Sequence, residues 1–250
     1  MKHRTFVVPL LLALAWRLET AFAQQTSARA AKPASSSGKV YGEWRIRIRP
    51  DQGPAYNELI KTKGLPLFRQ AGGRMVGWWT TLVGDLYEQV TLWEYDDIAA
   101  FEKAVQFLGS EPRFKEFVTL RDPLLAGEEN RFLRLTPGGQ APTLSEPARF
   151  VVHEIHRVPL RQMDAYRKFV EREALPLLKS HGFRPVGPWA TELGKWTEVT
   201  YLFPYESLAE RDRLIGEFMA SPRGPAYSQK VSEFVDEITT RVLMPAPFAR

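Results

Sequence analysis

The chain of 250 residues contains no cysteine. Disulfides, thiolate metal centres, cysteine nucleophiles and lipid-modified cysteines are therefore all excluded. It lacks a strong charge bias as well. Of a formal net charge of +5, Lys2, Arg4 and Arg17 minus Glu19 supply +2, leaving a mild and dispersed +3 beyond residue 23. No basic run interleaved with aromatics occurs, so nucleic acid is not an expected partner. There is no P-loop, no dinucleotide-binding glycine pattern, no Gly-x-Ser-x-Gly elbow and no histidine pair at metal-binding helical spacing. Neither a metal nor a cofactor is expected.

A membrane-spanning run is missing at the N-terminus too. Phe6 to Trp16 is an apolar stretch of about eleven residues, too short to cross a bilayer but within the ~7–15 of a secretory apolar core. Lys2, His3 and Arg4 precede it, and "AFAQQ" follows with a small-x-small site. The pattern predicts a signal peptide over 1–23 cleaved after Ala23, export to a periplasmic or secreted location, and no membrane contact after cleavage. Residues 24–39 ("QQTSARAAKPASSSGK") are Ala, Ser and polar, which predicts a disordered spacer. "TPGGQAPTLSEP" (Thr136 to Pro147) is dense in Pro and Gly and predicts a linker over 136–149.

What remains is one segment written twice, at 40–135 and 150–245. Setting Pro176 on Pro66 gives an offset of 176 − 66 = 110, which also superposes Tyr166 on Tyr56, Gly182 on Gly72, Gly187 on Gly77 and Trp189 on Trp79. The same offset superposes Thr191 on Thr81, Gly194 on Gly84, Glu198 on Glu88 and Arg241 on Arg131. No gap is needed over about 95 residues, so the chain is an internal duplication. The register of the two first strands stays open, because Pro50 and Pro159 suggest a shift of one residue.

Each copy reads β-α-β-β-α-β. Tyr56, Leu59, Ile60 and Leu67 sit at helical spacing, as do Tyr166, Phe169, Val170 and Leu177. Pro54 suits a first helical turn, and Gly72 and Gly182 suit positions just past a helix end. Pro66 and Pro176 are expected to kink the first helix. Hairpins turn at Gly84 and Gly194, and Pro112 and Pro222 divide the second helical region.

This order predicts a four-stranded antiparallel sheet with helices on one face. Strict alternation in the second strand places Met75, Trp79 and Val83 on one face and Val76, Trp78 and Leu82 on the other. A bare face carrying Trp78 or Trp79 would be a large apolar patch. The fold class is therefore α+β: two tandem ferredoxin-like repeats whose antiparallel sheets pack face to face as an α/β barrel. "GLPLFRQAGGRMVGWWTTLVGDLYEQVTLWEYDD", followed by "ENRFL", resembles the NIPSNAP family, whose domains adopt the dimeric α/β-barrel form of the ferredoxin-like fold. "ALPLLKSHGFRPVGPWATELGKWTEVTYLFPY" in the second copy is similar but departs at Pro188 and at Phe203-Pro204. The resemblance implies no agreed catalytic residues. It implies a role through protein interaction in animal members, which are mitochondrial, whereas this chain carries export signals.

Five residues are candidates for ligand binding. Trp79 and Trp189 are an aromatic cavity wall or, the favoured reading, core packing. Glu43, Arg45 and Arg47 share a strand face and read as an ion-paired face or as an anion-binding wall inside the barrel. "HEIH" (His153 to His156) cannot bind one ion from a regular strand, because His153 and His156 point to opposite faces. Glu154 and His156 do share a face. They are the candidates for a catalytic acid–base pair, against the favoured reading of a satisfied polar contact. His181, before Gly182, reads as a helix-end cation. The expected function is a small-ligand- or protein-binding scaffold, open to homo-oligomerisation. The alternative is a cofactor-independent monooxygenase-like or haem-associated enzyme using Glu154 and His156.

Overall fold

The computed structural model describes residues 38–142 and 148–249. The expected signal peptide, most of the spacer and linker residues 143–147 lie outside the described residues. Repeat 1 comprises β1 (Val40–Ile48), α1 (Gly53–Leu59), a π turn (Ile60–Gly64), α2 (Leu65–Gln70), β2 (Arg74–Val83), β3 (Glu88–Tyr95), α3 (Ile98–Ser110), α4 (Pro112–Arg121) and β4 (Leu125–Gln140). Repeat 2 comprises β5 (Phe150–Arg157), α5 (Met163–Phe169), a π turn (Val170–Ala174), α6 (Leu175–Ser180), β6 (Val186–Leu193), β7 (Glu198–Tyr205), α7 (Leu208–Ala220), α8 (Arg223–Ser232) and β8 (Glu237–Pro245).

Local chemistry accounts for the element ends. Asp97 caps α3 by accepting from the Ala100 amide, and Ser207 caps α7 by accepting from Glu210. Gly72 and Gly182 adopt φ of +89° and +83° after α2 and α6, a conformation that favours glycine. Pro66 and Pro176 do not break the first helical region. Each follows a π turn and sits in the first turn of the next helical segment, where a missing amide hydrogen costs little.

Eight strands close a barrel in the order β1-β3-β2-β8-β5-β7-β6-β4. The two sheets do more than face each other. They join edge to edge, β2 with β8 and β4 with β6, so among the described residues the barrel has no open strand edge. The β4–β6 seam extends to Gln140 opposite Gly187, so the expected linker 136–149 begins later, after β4. The first-strand register is also settled. Gly42 pairs with Trp93 and Val152 with Phe203, so the 110-residue offset holds through β1 and β5. The counterpart of His156 is Ile46, and that of His153 is Glu43.

The alternation expected in β2 fails, and the reason is a β-bulge. Met75 pairs with Trp93 and Gly77 with Leu92, leaving Val76 as an extra residue. Met75 and Trp78 consequently face the helices, while Val76 and Trp79 enter the barrel. The barrel core holds Tyr41, Trp79, Leu92, Leu133, Trp189 and Leu243. Helices cover the outside, one apolar layer per repeat. The C-terminal tail ties the halves further: Phe248 packs edge-on against Trp78 of repeat 1 at 5.2 Å.

The repeated "VG…W.T…G" pattern now has a physical cause. A Cβ on Gly77 would lie 2.0 Å from the Trp79 ring, and one on Gly187 2.5 Å from the Trp189 ring. Each glycine thus lets the indole lie across its own strand. Gly84 and Gly194 turn the hairpins at φ of +123° and +118°. There the side chains of Arg241 and Arg131, which come from the opposite repeat, pass within 3.2 and 3.1 Å of where a Cβ would stand. The pattern belongs to the core and to the seams.

Candidate functional site

Charged residues fill the hairpin half of the barrel. Arg131 on β4 donates through Nε and Nη2 to Glu43 on β1, at 3.0 and 2.7 Å, and through Nη1 to Glu198 on β7. At the other seam Arg241 pairs with Glu88 at 2.7 Å. Each arginine thus reaches a carboxylate of the opposite repeat. Burial alone would raise the Glu43 pKa. Arg131, His153 and Arg45 outweigh it and hold Glu43 well below the carboxylate range. His153 meets Glu43 through Nε2 at 3.2 Å; burial pushes its pKa down against the pull of that carboxylate. Of the expected anion wall, Glu43 is therefore an internal ion-pair acceptor. Arg45 pairs with Glu129 at 2.6 Å, and Arg47 is exposed.

Glu154 and His156 are together but not inside the barrel. They lie on the helix-facing side of β5, with His156 Nε2 3.4 Å from Glu154. His156 Nδ1 meets the Tyr166 hydroxyl at 2.7 Å, and Tyr166 meets Tyr201 at 2.6 Å. Burial raises both phenols above their ordinary range. The chain Glu154–His156–Tyr166–Tyr201 is a satisfied polar contact under α5. Its repeat 1 counterparts at the same offset are Trp44, Ile46, Tyr56 and Thr91, so only repeat 2 builds it. Among the described residues no three His, Asp or Glu side chains are grouped to hold a metal ion.

The other end of the barrel is open on one side. A cleft of about 660 Å³ is lined by Val76 and Trp79 from β2, Val151 from β5, Val186 from β6 and Leu202 from β7, with Lys179 and Arg184 also in its wall. None of its described lining residues comes from β1 or β3. There the end is plugged: the Tyr41 hydroxyl donates to Glu94 at 2.7 Å, and Glu94 also accepts from Lys39 at 2.9 Å and Arg74 at 2.7 Å. At the 110-residue offset Tyr41 becomes Val151 and Glu94 becomes Pro204. Repeat 2 lacks both the phenol and the carboxylate of the plug, and Val151 and Pro204 line the cleft where they would stand. Trp79 belongs to this site. Trp189 does not; it is fully buried against Tyr41, ring centroids 5.5 Å apart. Neither Glu154 nor His156 is among the described lining residues. The sequence did carry the signal for the cleft, in the apolar replacements at 151 and 204, but reading it requires knowing that 41 and 94 touch.

Two ferredoxin-like halves closing one barrel define a single-chain, internally duplicated member of the α/β-barrel proteins. The family model described as NIPSNAP matches residues 43–139 and again 155–250, and the chain belongs to the NIPSNAP family. Among solved structures, a "putative monooxygenase" from Lactobacillus acidophilus NCFM is similar over 83% of this chain and 93% of its own, with a TM-score of 0.59 and 12% identity. A second "putative monooxygenase", from Fusobacterium nucleatum subsp. nucleatum ATCC 25586, covers 84% of this chain and 94% of its own, with a TM-score of 0.62 and 10% identity. At such identities the likeness concerns the fold alone. An uncharacterized NIPSNAP domain protein from Burkholderia xenovorans is 26% identical over 38% of this chain and 91% of its own, with a TM-score of 0.36. No curated protein matches the chain.

Proposed function

We propose that this protein binds a small, largely apolar organic molecule bearing an acidic group, in the cleft at the repeat 2 end of the barrel. The observation that carries this reading is the cleft itself. Its size of about 660 Å³ lies within the ~300–1,000 Å³ of small-molecule sites. Its floor is apolar and aromatic. Lys179 is exposed and has no ion pair among the described residues, whereas Arg184 is engaged by Glu206 and Glu210. An acid group would therefore go to Lys179, and the body of the ligand would lie on Trp79.

A fluorescence titration with anilinonaphthalene sulfonate tests this reading. One saturable site is expected, and Lys179→Glu should weaken it at least ~5-fold, about 1 kcal/mol. Absence of saturable binding, or binding unchanged in Lys179→Glu, would count against the assignment.

An oxygenase is the second reading, supported by the descriptions of the structural neighbours. The titratable lining residues of the cleft among those described are Lys179, Arg184 and Glu206. Glu154 and His156 would act in such an enzyme only at some other place. Oxygen uptake with an electron-rich phenol is the measurement that would favour this reading over simple binding.

A further inference from the structure

The duplication is imperfect at one interior position, and the imperfection strands polar groups. Glu43 is matched at the 110-residue offset by His153. Arg131 uses Nε, Nη1 and Nη2 on Glu43 and Glu198. Its counterpart Arg241 holds only Glu88, and its buried Nη1 has no hydrogen-bond partner among the described residues. His153 stands directly opposite Arg241 in the β5–β8 ladder. It is fully buried, gives Nε2 to Glu43 and leaves Nδ1 unpartnered.

Three buried threonine hydroxyls are also unpartnered among the described residues, on Thr81, Thr191 and Thr200. Thr191 flanks Arg131 as Thr81 flanks Arg241, so only Thr200, which stands where repeat 1 has Val90, is peculiar to this half. Thr81 lies beside Arg241, since both side chains flank the same point above Gly84. Thr200 is two residues from Leu202, which pairs with His153, and is therefore its diagonal neighbour. Buried polar groups are normally paired. Arg241 Nη1, His153 Nδ1 and the Thr200 hydroxyl, with Thr81 beside Arg241, lie on four adjoining strands and describe a site; His153, Thr81 and Thr200 are 4% exposed or less.

We propose that Arg241, His153, Thr81 and Thr200 bind a small carboxylate, the size of formate or acetate, which takes against Arg241 the place that the Glu43 carboxylate takes against Arg131. The molecule thus shows the liganded arrangement in its own first half. Charge then dictates the coupling. Glu43, Glu88, Glu129 and Glu198 are balanced by Arg45, Arg131, Arg241 and Lys195, so an entering anion is in excess by one. His153 can balance it. With Nε2–H donating to Glu43, Nδ1 accepts the proton of the incoming acid: the acid O–H bond breaks, the N–H bond forms, and imidazolium and carboxylate remain side by side.

The charged groups facing His153 are Glu43 from β1, Arg131 from β4 and Arg241 from β8, with Glu88 of β3 and Glu198 of β7 behind the arginines. β2 and β6 contribute the uncharged Thr81 and Thr191. Burial disfavours the charged form of His153 in the free protein against the pull of Glu43, and a carboxylate bound beside Nδ1 favours uptake of a proton there. Affinity rises as pH falls, up to about tenfold per pH unit while the free imidazole is neutral and the bound one charged.

The test is a formate titration of the full chain by calorimetry, with the His153 imidazole followed by ¹⁵N NMR, at pH 5.5, 6.5 and 7.5. A saturable response at His153 is expected, tightening about tenfold per unit of falling pH, with none from chloride at equal ionic strength. His153→Gln keeps a donor for Glu43 but cannot take the proton, so formate binding should weaken more than ~10-fold and lose its pH dependence. Arg241→Gln should abolish saturation. Should that variant fail to fold, the His153→Gln comparison decides by itself. A missing response at His153, an equal response to chloride, or formate affinity that is flat with pH or unchanged in His153→Gln would overturn the proposal.

Discussion

Replacing Arg131 by Met removes the charge that holds one seam while keeping a side chain of similar reach. Arg131 is 4% exposed and Glu43 2%, so the pair is buried, and truncating one partner of such a pair costs ~3–5 kcal/mol because the other is stranded. Two features moderate the cost. Lys195 remains 3.7 Å from Glu198, and His153 remains on Glu43. The lower end, about 3 kcal/mol, is the expected loss. At ~2–4 °C per kcal/mol for a domain of this size, the melting temperature should fall by roughly 6–12 °C.

The pH dependence gives a sharper check. In the intact protein the Glu43 pKa is depressed, so its contribution is fully present above the unfolded carboxylate value of ~4.3 and is lost as pH falls below it. In Arg131→Met burial dominates and the Glu43 pKa rises. The stranded carboxylate then protonates as pH falls, and the deficit relative to wild type should shrink between pH 7.5 and pH 5. Urea unfolding at both values measures it. A deficit under about 1 kcal/mol, or one equal at the two pH values, would refute the argument that this seam is held by a buried ion pair.

Three further outcomes are expected. Trp189→Ala should cost ~3–5 kcal/mol in chemical denaturation, and more than Trp79→Ala, because Trp79 already borders open space; equal costs would contradict the asymmetry of the two barrel ends. Residues 40–135 expressed alone leave the β2 and β4 edges and the inner sheet face uncovered, so light scattering should find self-association, and a stable monomer would argue against the closed barrel. N-terminal sequencing of the exported product should begin at Gln24, and a product that still begins at Met1 would remove the export proposal.

Much of the architecture was legible because duplication multiplies evidence. Two copies of Tyr56, Gly72, Trp79 and Gly84 at one offset mark helix, helix end, strand and hairpin far better than either copy could. Strand faces were less legible. The bulge at Val76 adds one residue to β2 and reverses the faces of Trp78 and Trp79 relative to simple alternation. Glu154 and His156 share a face, as a period of two requires, but nothing in that period says whether the face meets helices or barrel. Arg131 and Arg241 were visible as a matched pair, yet their roles depend on carboxylates 67 and 153 positions away (131 to 198, 241 to 88) that only barrel closure brings near. The cleft was hidden for a related reason: it is a difference between the copies, Tyr41 against Val151 and Glu94 against Pro204, and similarity draws attention to what is shared.

That difference also supplies the most direct test of the binding site. Val151→Tyr together with Pro204→Glu writes the repeat 1 plug into repeat 2, with Arg184 and Arg149 standing where Arg74 and Lys39 stand in repeat 1. Binding of anilinonaphthalene sulfonate to this double variant, measured by fluorescence beside wild type and with folding checked by circular dichroism, should fall at least ~10-fold, about 1.4 kcal/mol. A folded double variant that binds the probe as wild type does would show that the cleft is not the ligand site.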